Sequence, residues 1–330
     1  MSFEYPNLDG LDDDDLDFLD QLNQDDEKVR FIGIMNIADE EREELLPWLH
    51  YALLHDPSAM VREEAAKHLE GWEDSTSLLS LAEALTDESQ KVIDAATQSL
   101  SEVKDPNAAN VLAPFLLHEP IAVKVAILRA LKPLRISELT EVIESHIHHD
   151  NVLVRREAVS ALSWLQQDEA LDSLALIAKQ DPDLETRRIA TGGLAYSKTH
   201  SAVVIDALEH ALNAEDWQLR VEAALTVGKL KLHALEEQLI SLMNDAYWQV
   251  RIPVVRSLGL LKSEKALAGL AENFFFEISN LRKEVALALG EIGGDYALDL
   301  LVAHEADPDP EVRKAIRIGL NQIRATHANS

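Results

Sequence analysis

Histidines and carboxylates are the residues of this chain best placed to do chemistry. ESHIHHD (144–150) holds His146, His148 and His149, flanked by Glu144 and Asp150. Two imidazoles and a carboxylate suffice for a zinc site; the plainer reading is a solvated helix end with some pH sensitivity. His118-Glu119 and His304-Glu305 set an imidazole beside a carboxylate near helix ends. GEIGGDYAL (290–298) has three glycines, but it follows a helical pattern rather than a strand. It therefore reads as a helix C-cap and turn, not a phosphate cradle. The sequence contains no H-E-x-x-H, no G-x-S-x-G and no phosphate-binding glycine loop. Cysteine is absent, which excludes disulfides, thiolate metal sites and cysteine nucleophiles. No residue is assigned as catalytic or metal-ligating, no cofactor is expected, and the chain is read as a non-enzyme.

The elements that position these groups form a repeat. An apolar residue, an arginine, small residues and a leucine recur in VREEAAKHL, VRREAVSAL, TRRIATGGL, LRVEAALTV, VRIPVVRSL, LRKEVALAL and VRKAIRIGL. Aligned on the arginine, the phrase falls at Arg30, Arg62, Ile93, Lys124, Arg155, Arg187, Arg220, Arg251, Arg282 and Arg313, in steps of 31 to 33 residues. Each unit reads as two helices. One is apolar at helical spacing, as in LLPWLHYALL (45–54) and ALDSLALIAK (170–179). The other carries the arginine, with apolar or small residues one before it and three and seven after it. That is a stripe at i, i+4 and i+8. Four residues before the arginine stand Asp26, Ser58, Ser89, Asn151, Asp183, Asp216 and Asp309, good helix N-caps. Neither helix can bury its stripe alone, so the pairs must stack. The arginines Arg30, Arg62, Arg155, Arg187, Arg220, Arg251, Arg282 and Arg313 are read as a structural ladder. They bridge to acidic loops of neighbouring units, where Asp56, Asp87, Asp181, Asp245 and Asp307 lie six residues upstream of the phrase position.

The matching stretches DPSAMVREEAAKHL, DPDLETRRIATGGL and DPDPEVRKAIRIGL resemble the HEAT repeat, in particular the short HEAT-like repeats of the phycobilin lyase type. The resemblance implies an all-α, right-handed α-solenoid (an α-α superhelix) of about ten helix pairs, with the arginine-bearing helix lining the concave face. It also brings in HEAT-like iron hydroxylases, whose metal ligands are His-Glu pairs directly after the arginine. Here Glu64, Glu157, Glu222 and Glu284 keep the glutamate, but Glu63, Arg156, Val221 and Lys283 stand where histidine should. Half the ligand set is missing. HEAT-like DNA glycosylases need a basic groove, and this chain carries a formal charge of −29.

That charge disfavours phosphate backbones, so no nucleic-acid partner is expected. Of the 330 residues 47% are hydrophobic, ample for a continuous core, and only 5% are aromatic, which favours helix over sheet. The start, MSFEYPNLDG, has neither a basic n-region nor an apolar h-region, and no apolar run is long enough to span a bilayer. A cytoplasmic protein without membrane contact is expected. Residues 1–11 read as a flexible tail, 12–325 as a single solenoid and 326–330 as a C-terminal tail. DDDD (12–15) with LDFLDQL (16–22) reads as a capping helix, the alternative being a short docking motif.

Breaks in the phrase gather in units seven to nine, and local rules fail mostly at functional or strained sites. Tyr247 and Ile278 replace caps, and Pro253 enters a helix interior. Trp217 and Trp248 recur at one position, and Phe274, Phe275 and Phe276 form a run. Val221, Leu225, Ile252 and Leu287 occupy outward positions, with Glu222 and Glu284 between them. Residues Trp217, Val221, Glu222, Leu225, Tyr247, Trp248, Ile252, Phe275, Glu284 and Leu287 thus form a candidate groove, apolar and rimmed by carboxylates. It would take an amphipathic, basic partner; the alternative is that the two tryptophans pack in the turns between helices and the phenylalanines fill the core between units. Gly192, mid-helix, suggests close approach to the backbone there. The expected function is a protein-binding scaffold or adaptor, acting as assembly factor or chaperone. The alternatives are a bilin-lyase-like enzyme handling a tetrapyrrole and an acidic inhibitor or immunity protein for a basic target.

Overall fold

The computed structural model describes residues 4–118, 120–198 and 201–328. Among the described residues it contains helices and no strand. The chain divides into two compact units, Met1–Leu165 and Gln166–Ser330.

The first unit holds five helix pairs: α1 (Asp13–Leu22) with α2 (Glu27–Asp39), α3 (Leu46–His55) with α4 (Ala59–His68), and α5 (Ser75–Ala84) with α6 (Gln90–Ser101). The fourth pair has a broken first helix, α7 (Ala108–Leu112) and α8 (Phe115–His118), before α9 (Ile121–Leu131). The fifth is α10 (Thr140–Glu144) with α11 (Val152–Leu165). The second unit holds α12 (Leu171–Gln180) with α13 (Leu184–Gly193), α14 (Ala202–Leu212) with α15 (Trp217–Leu230), and α16 (Glu236–Leu242) with α17 (Trp248–Leu260). It continues through α18 (Leu267–Asn273) with α19 (Ser279–Ile292) to α20 (Gly294–Ala303) with α21 (Pro310–Ala328). Residues 329–330 of the expected C-terminal tail lie outside the described residues.

The stripe is the core. Val61, Ala65 and Leu69 of α4, and Leu281, Val285 and Leu289 of α19, are fully buried. Each such leucine contributes about 1.5–3 kcal/mol over an exposed one. In most units the sixth position after the arginine is small, because there the helix meets the second helix of the preceding pair. A Cβ on Gly290 would lie 2.5 Å from Gly319 Cα, and one on Gly259 would lie 2.8 Å from Ala288 Cα. Ser257 Oγ donates across the same seam to Ala224 O at 2.7 Å, and Ser99 Oγ to Ala66 O at 2.9 Å.

The aspartate six residues before the arginine has two roles. It folds its own turn by accepting a backbone N–H two residues on, as Asp56 does from Ser58 and Asp307 from Asp309, at 2.8 and 2.9 Å. It also receives the arginine of the preceding pair. Arg30, Arg62, Arg220 and Arg282 grip Asp56, Asp87, Asp245 and Asp307 with both Nε and Nη2, the Nε–Oδ2 distances being 2.9, 2.7, 2.7 and 2.8 Å. The remaining nitrogen turns back to its own loop: Arg282 Nη1 donates to Phe276 O, Arg155 Nη1 to His149 O, and Arg313 Nη1 to Asp307 O. The Arg282 guanidinium holds the Asp307 carboxyl below the usual aspartate range.

Two rungs depart from the expected ladder. Arg251 faces Phe276 where an aspartate should stand; its guanidinium lies 4.7 Å from the ring centroid and Nε donates to Asp245 O. Arg187 must be corrected outright. Ala214 occupies the acid's place, and Arg187 Nε is buried without an acceptor among the described residues.

The caps split by chemistry. Asp26, Asp183 and Asp216 cap their helices through side-chain oxygens, whereas Ser58 and Ser89 make no cap bond. Ser58 Oγ instead donates to Glu27 at 2.6 Å. The acidic start caps α1 through a reciprocal Asp12–Asp15 box, and Asp15, buried, pairs with Arg42 at 2.7 Å. In the segment expected as a flexible tail, Tyr5 is buried. Its hydroxyl donates to Asp56 at 2.8 Å and its N–H to Asn23 Oδ1. Burial, then the Asp56 charge, pushes the phenol far above its ordinary value.

Candidate functional site

The predicted groove lies wholly in the second unit, on α15, α17 and α19, which pack side by side, and in the turns before α17 and α19. Helical spacing puts Trp217, Val221 and Leu225 on one face of α15, and Trp248, Ile252 and Arg256 on the matching face of α17. On α19 the row runs Ser279, Lys283, Leu287. The apolar stripe is therefore interrupted by Arg256 and Lys283. Leu225 is 37% exposed; Val221, Ile252, Leu287, Trp217 and Trp248 are half-buried.

The aromatic residues lie along the turns before these helices. Trp217 stacks on Tyr247 with ring centroids 5.9 Å apart, and Arg220 lies 5.8 Å from the Tyr247 centroid. Tyr247 and Ile278 occupy N-cap positions without capping, as their side chains dictate. The helix continues through Pro253. The phenylalanine run separates into three roles. Phe274 is core and stacks on His304 at 4.2 Å; Phe276 supports Arg251; Phe275 is 80% exposed. All three line a cavity of about 400 Å³ with Arg282 and His304.

The carboxylates form no free rim. Glu284 pairs with Arg256 at 2.6 Å, and Glu222 with Arg188 at 3.0 Å. Glu157 makes the equivalent pair with Arg129 in the first unit. Burial raises the Glu222 carboxyl above its ordinary value despite Arg188. Gly192 is explained by the same pair: a Cβ there would meet Glu222 Oε1 at 2.7 Å. The close approach at Gly192 is to a side chain of this chain.

One histidine of the cluster is built into the first unit's packing. His146 is 6% exposed, its Nε2 3.0 Å from Leu116 O and its Nδ1 2.8 Å from Val142 O. This corrects the solvated helix end for His146 alone; His148 is exposed and His149 half-buried. Among the described residues no group of three His, Cys, Asp or Glu side chains comes together to hold a metal. Gly293, with φ of 79°, ends α19 as a C-cap.

A His–Ser–Asp chain that sequence spacing did not reveal joins α3 to α5. His50 Nε2 lies 2.8 Å from Ser77 Oγ, which donates to Asp74 Oδ2 at 2.5 Å. The roles run the wrong way for a nucleophile. The hydroxyl gives its proton to the carboxylate and accepts from the imidazole, and Ser77 is fully buried. Burial lowers the pKa of His50, which favours the neutral imidazole.

A family model for HEAT repeats matches residues 16–101, 46–122, 111–195, 205–277 and 236–321. A search of curated proteins finds no match to this chain. Several solved structures are similar in fold. An engineered protein is 17% identical with a TM-score of 0.52, over 93% of this chain and 98% of that one. Kap95p, in a structure with RanGDP, is 13% identical with a TM-score of 0.64, over 96% of this chain and 51% of that one. YibA of E. coli is 16% identical with a TM-score of 0.50, over 91% and 99%. At such identities the likeness carries the fold alone. The phycobilin lyase type is not singled out by these matches.

Proposed function

Since the chain belongs to the HEAT-repeat family, we propose that it is a non-enzymatic, cytoplasmic scaffold that binds another protein across α15, α17 and α19. The supporting observation is that each of three consecutive pairs leaves an apolar side chain uncovered: Leu225 on α15 at 37% exposure, and Tyr247 and Phe275 in the turns before α17 and α19 at 47% and 80%. Aromatic anchors beside aliphatic contacts favour a protein partner. Kap95p, of similar fold, binds RanGDP, which supports the use of stacked helix pairs for protein binding. The partner is basic or amphipathic. Because Glu222 and Glu284 are paired internally, its basic groups answer the overall charge of −29 rather than those two carboxylates. The charge then speeds encounter and the exposed apolar side chains supply the hold.

Affinity capture from the source organism's lysate at low and high salt tests this, with the wild type beside Leu225→Glu/Tyr247→Ala. Both residues are exposed, so the double variant keeps the fold. A basic protein retained by the wild type alone, and less well at high salt, is the expected result. Equal retention by the double variant would move the site elsewhere; no retained protein at either salt would contradict the scaffold reading.

A further inference from the structure

We propose that a groove on the first unit, between α3 and α5, docks a basic peptide segment carrying a bulky apolar side chain. The groove has a volume of about 930 Å³, and Pro6 and the turn before α7 contribute to its walls. The Trp48 indole N–H fixes the Pro6 wall by donating to Pro6 O at 2.8 Å. Its floor is apolar, with Leu46, Leu54 and Trp72 facing the opening. That size and lining are those of a ligand site.

The polar groups decide the occupant. Glu43, Glu73, Asp74 and Asp105 line the groove, and no lysine or arginine does. Asp74 accepts from Thr76 and Ser77, Glu73 from the backbone of Lys104 and Asp105, and Asp105 from Asn107. These donors are neutral. Among the described residues none of the four carboxylates has a cationic partner, in contrast to Glu222 and Glu284 on the second unit. Their charge is left for a ligand. The apolar floor and the carboxylates without a cationic partner act on the same opening. An apolar side chain on the floor, with lysine or arginine reaching the carboxylates, satisfies both features. This inference does not depend on the α15–α19 face.

The test is isothermal titration calorimetry of the full chain with an acetylated, amidated Lys-Leu-Phe-Arg peptide. Two companions separate the forces: Glu-Leu-Phe-Glu reverses the charge, and Lys-Ser-Ser-Arg removes the apolar part. Saturable binding of the first peptide alone is expected. Thr76→Arg, at the exposed start of α5, should weaken it about tenfold, the equivalent of about 1.4 kcal/mol. Glu43→Lys, also exposed, should weaken it in the same direction and stands in if Thr76→Arg fails to fold. Leu225→Glu should leave it unchanged. Wild-type affinity in Thr76→Arg and Glu43→Lys, or equal binding of Lys-Ser-Ser-Arg, would overturn the proposal. Loss in Leu225→Glu alone would assign the peptide to the second unit instead.

Discussion

Arg220→Ala and Arg187→Ala, two arginines at the same position in consecutive repeats, should differ sharply in stability. The Arg220 side chain is 11% exposed and that of Asp245 is 5% exposed, and two bonds of 2.7 and 3.0 Å join them. Breaking a buried pair from one side costs about 3–5 kcal/mol, because the remaining charge is stranded. Asp245 keeps the Tyr247 N–H at 2.8 Å, so about 3 kcal/mol is expected. For a unit of this size that lowers Tm by about 6–12 °C. Arg187 has no such rung because Ala214 stands in the acid's place, and its Nε is buried without an acceptor. Its removal should change stability by no more than about 0.5 kcal/mol, or about 2 °C. Thermal unfolding followed by circular dichroism at neutral pH measures both. Equal losses in the two variants would refute the aspartate as the source of the rung's stability.

Ala214→Asp should supply the missing rung and raise Tm by about 2–4 °C, the equivalent of about 1 kcal/mol; it should do so only while Arg187 is present, which Arg187→Ala/Ala214→Asp checks. Gly290→Ala brings a Cβ against Gly319 backbone at 2.5 Å, so α19 and α21 must part, at a cost of about 1–3 kcal/mol in chemical denaturation. Asp307 has its folded pKa lowered by Arg282, so its contribution is present above the unfolded value of about 3.9 and is lost as pH falls through the folded one. The stability difference between wild type and Asp307→Asn should accordingly stay constant from neutral pH down to about pH 5 and shrink below about pH 4. Glu222 has the opposite sign: its raised pKa favours the protonated folded state, so Glu222→Gln should be best tolerated at neutral pH.

The repeat was legible because a helix pair imposes one period on every unit, and a stripe at i, i+4 and i+8 survives in any single sequence. The rungs followed from the same alignment, since aspartate recurs six residues before the arginine. Arg187 departs from the ladder for a reason present in the sequence: a rung belongs to two units, and Ala214 stands in the next one. The pairing of the carboxylates is hidden from the sequence for a related reason. Arg188 and Arg256 stand 34 and 28 residues from Glu222 and Glu284, and one-unit patterns do not show a neighbour's side chain. Gly192 looked anomalous until Glu222 filled the space above it. The α3–α5 groove left no periodic signal, because one of its walls, Pro6, comes from outside the repeat.

Site-specific photo-crosslinking from position 225 tests the scaffold reading most directly. A benzophenone side chain replacing Leu225 would be irradiated in the source organism's lysate, beside the same label at exposed Glu291. The account predicts one discrete adduct with a basic protein from position 225 and none from position 291. No adduct from 225, or the same adducts from both positions, would contradict it.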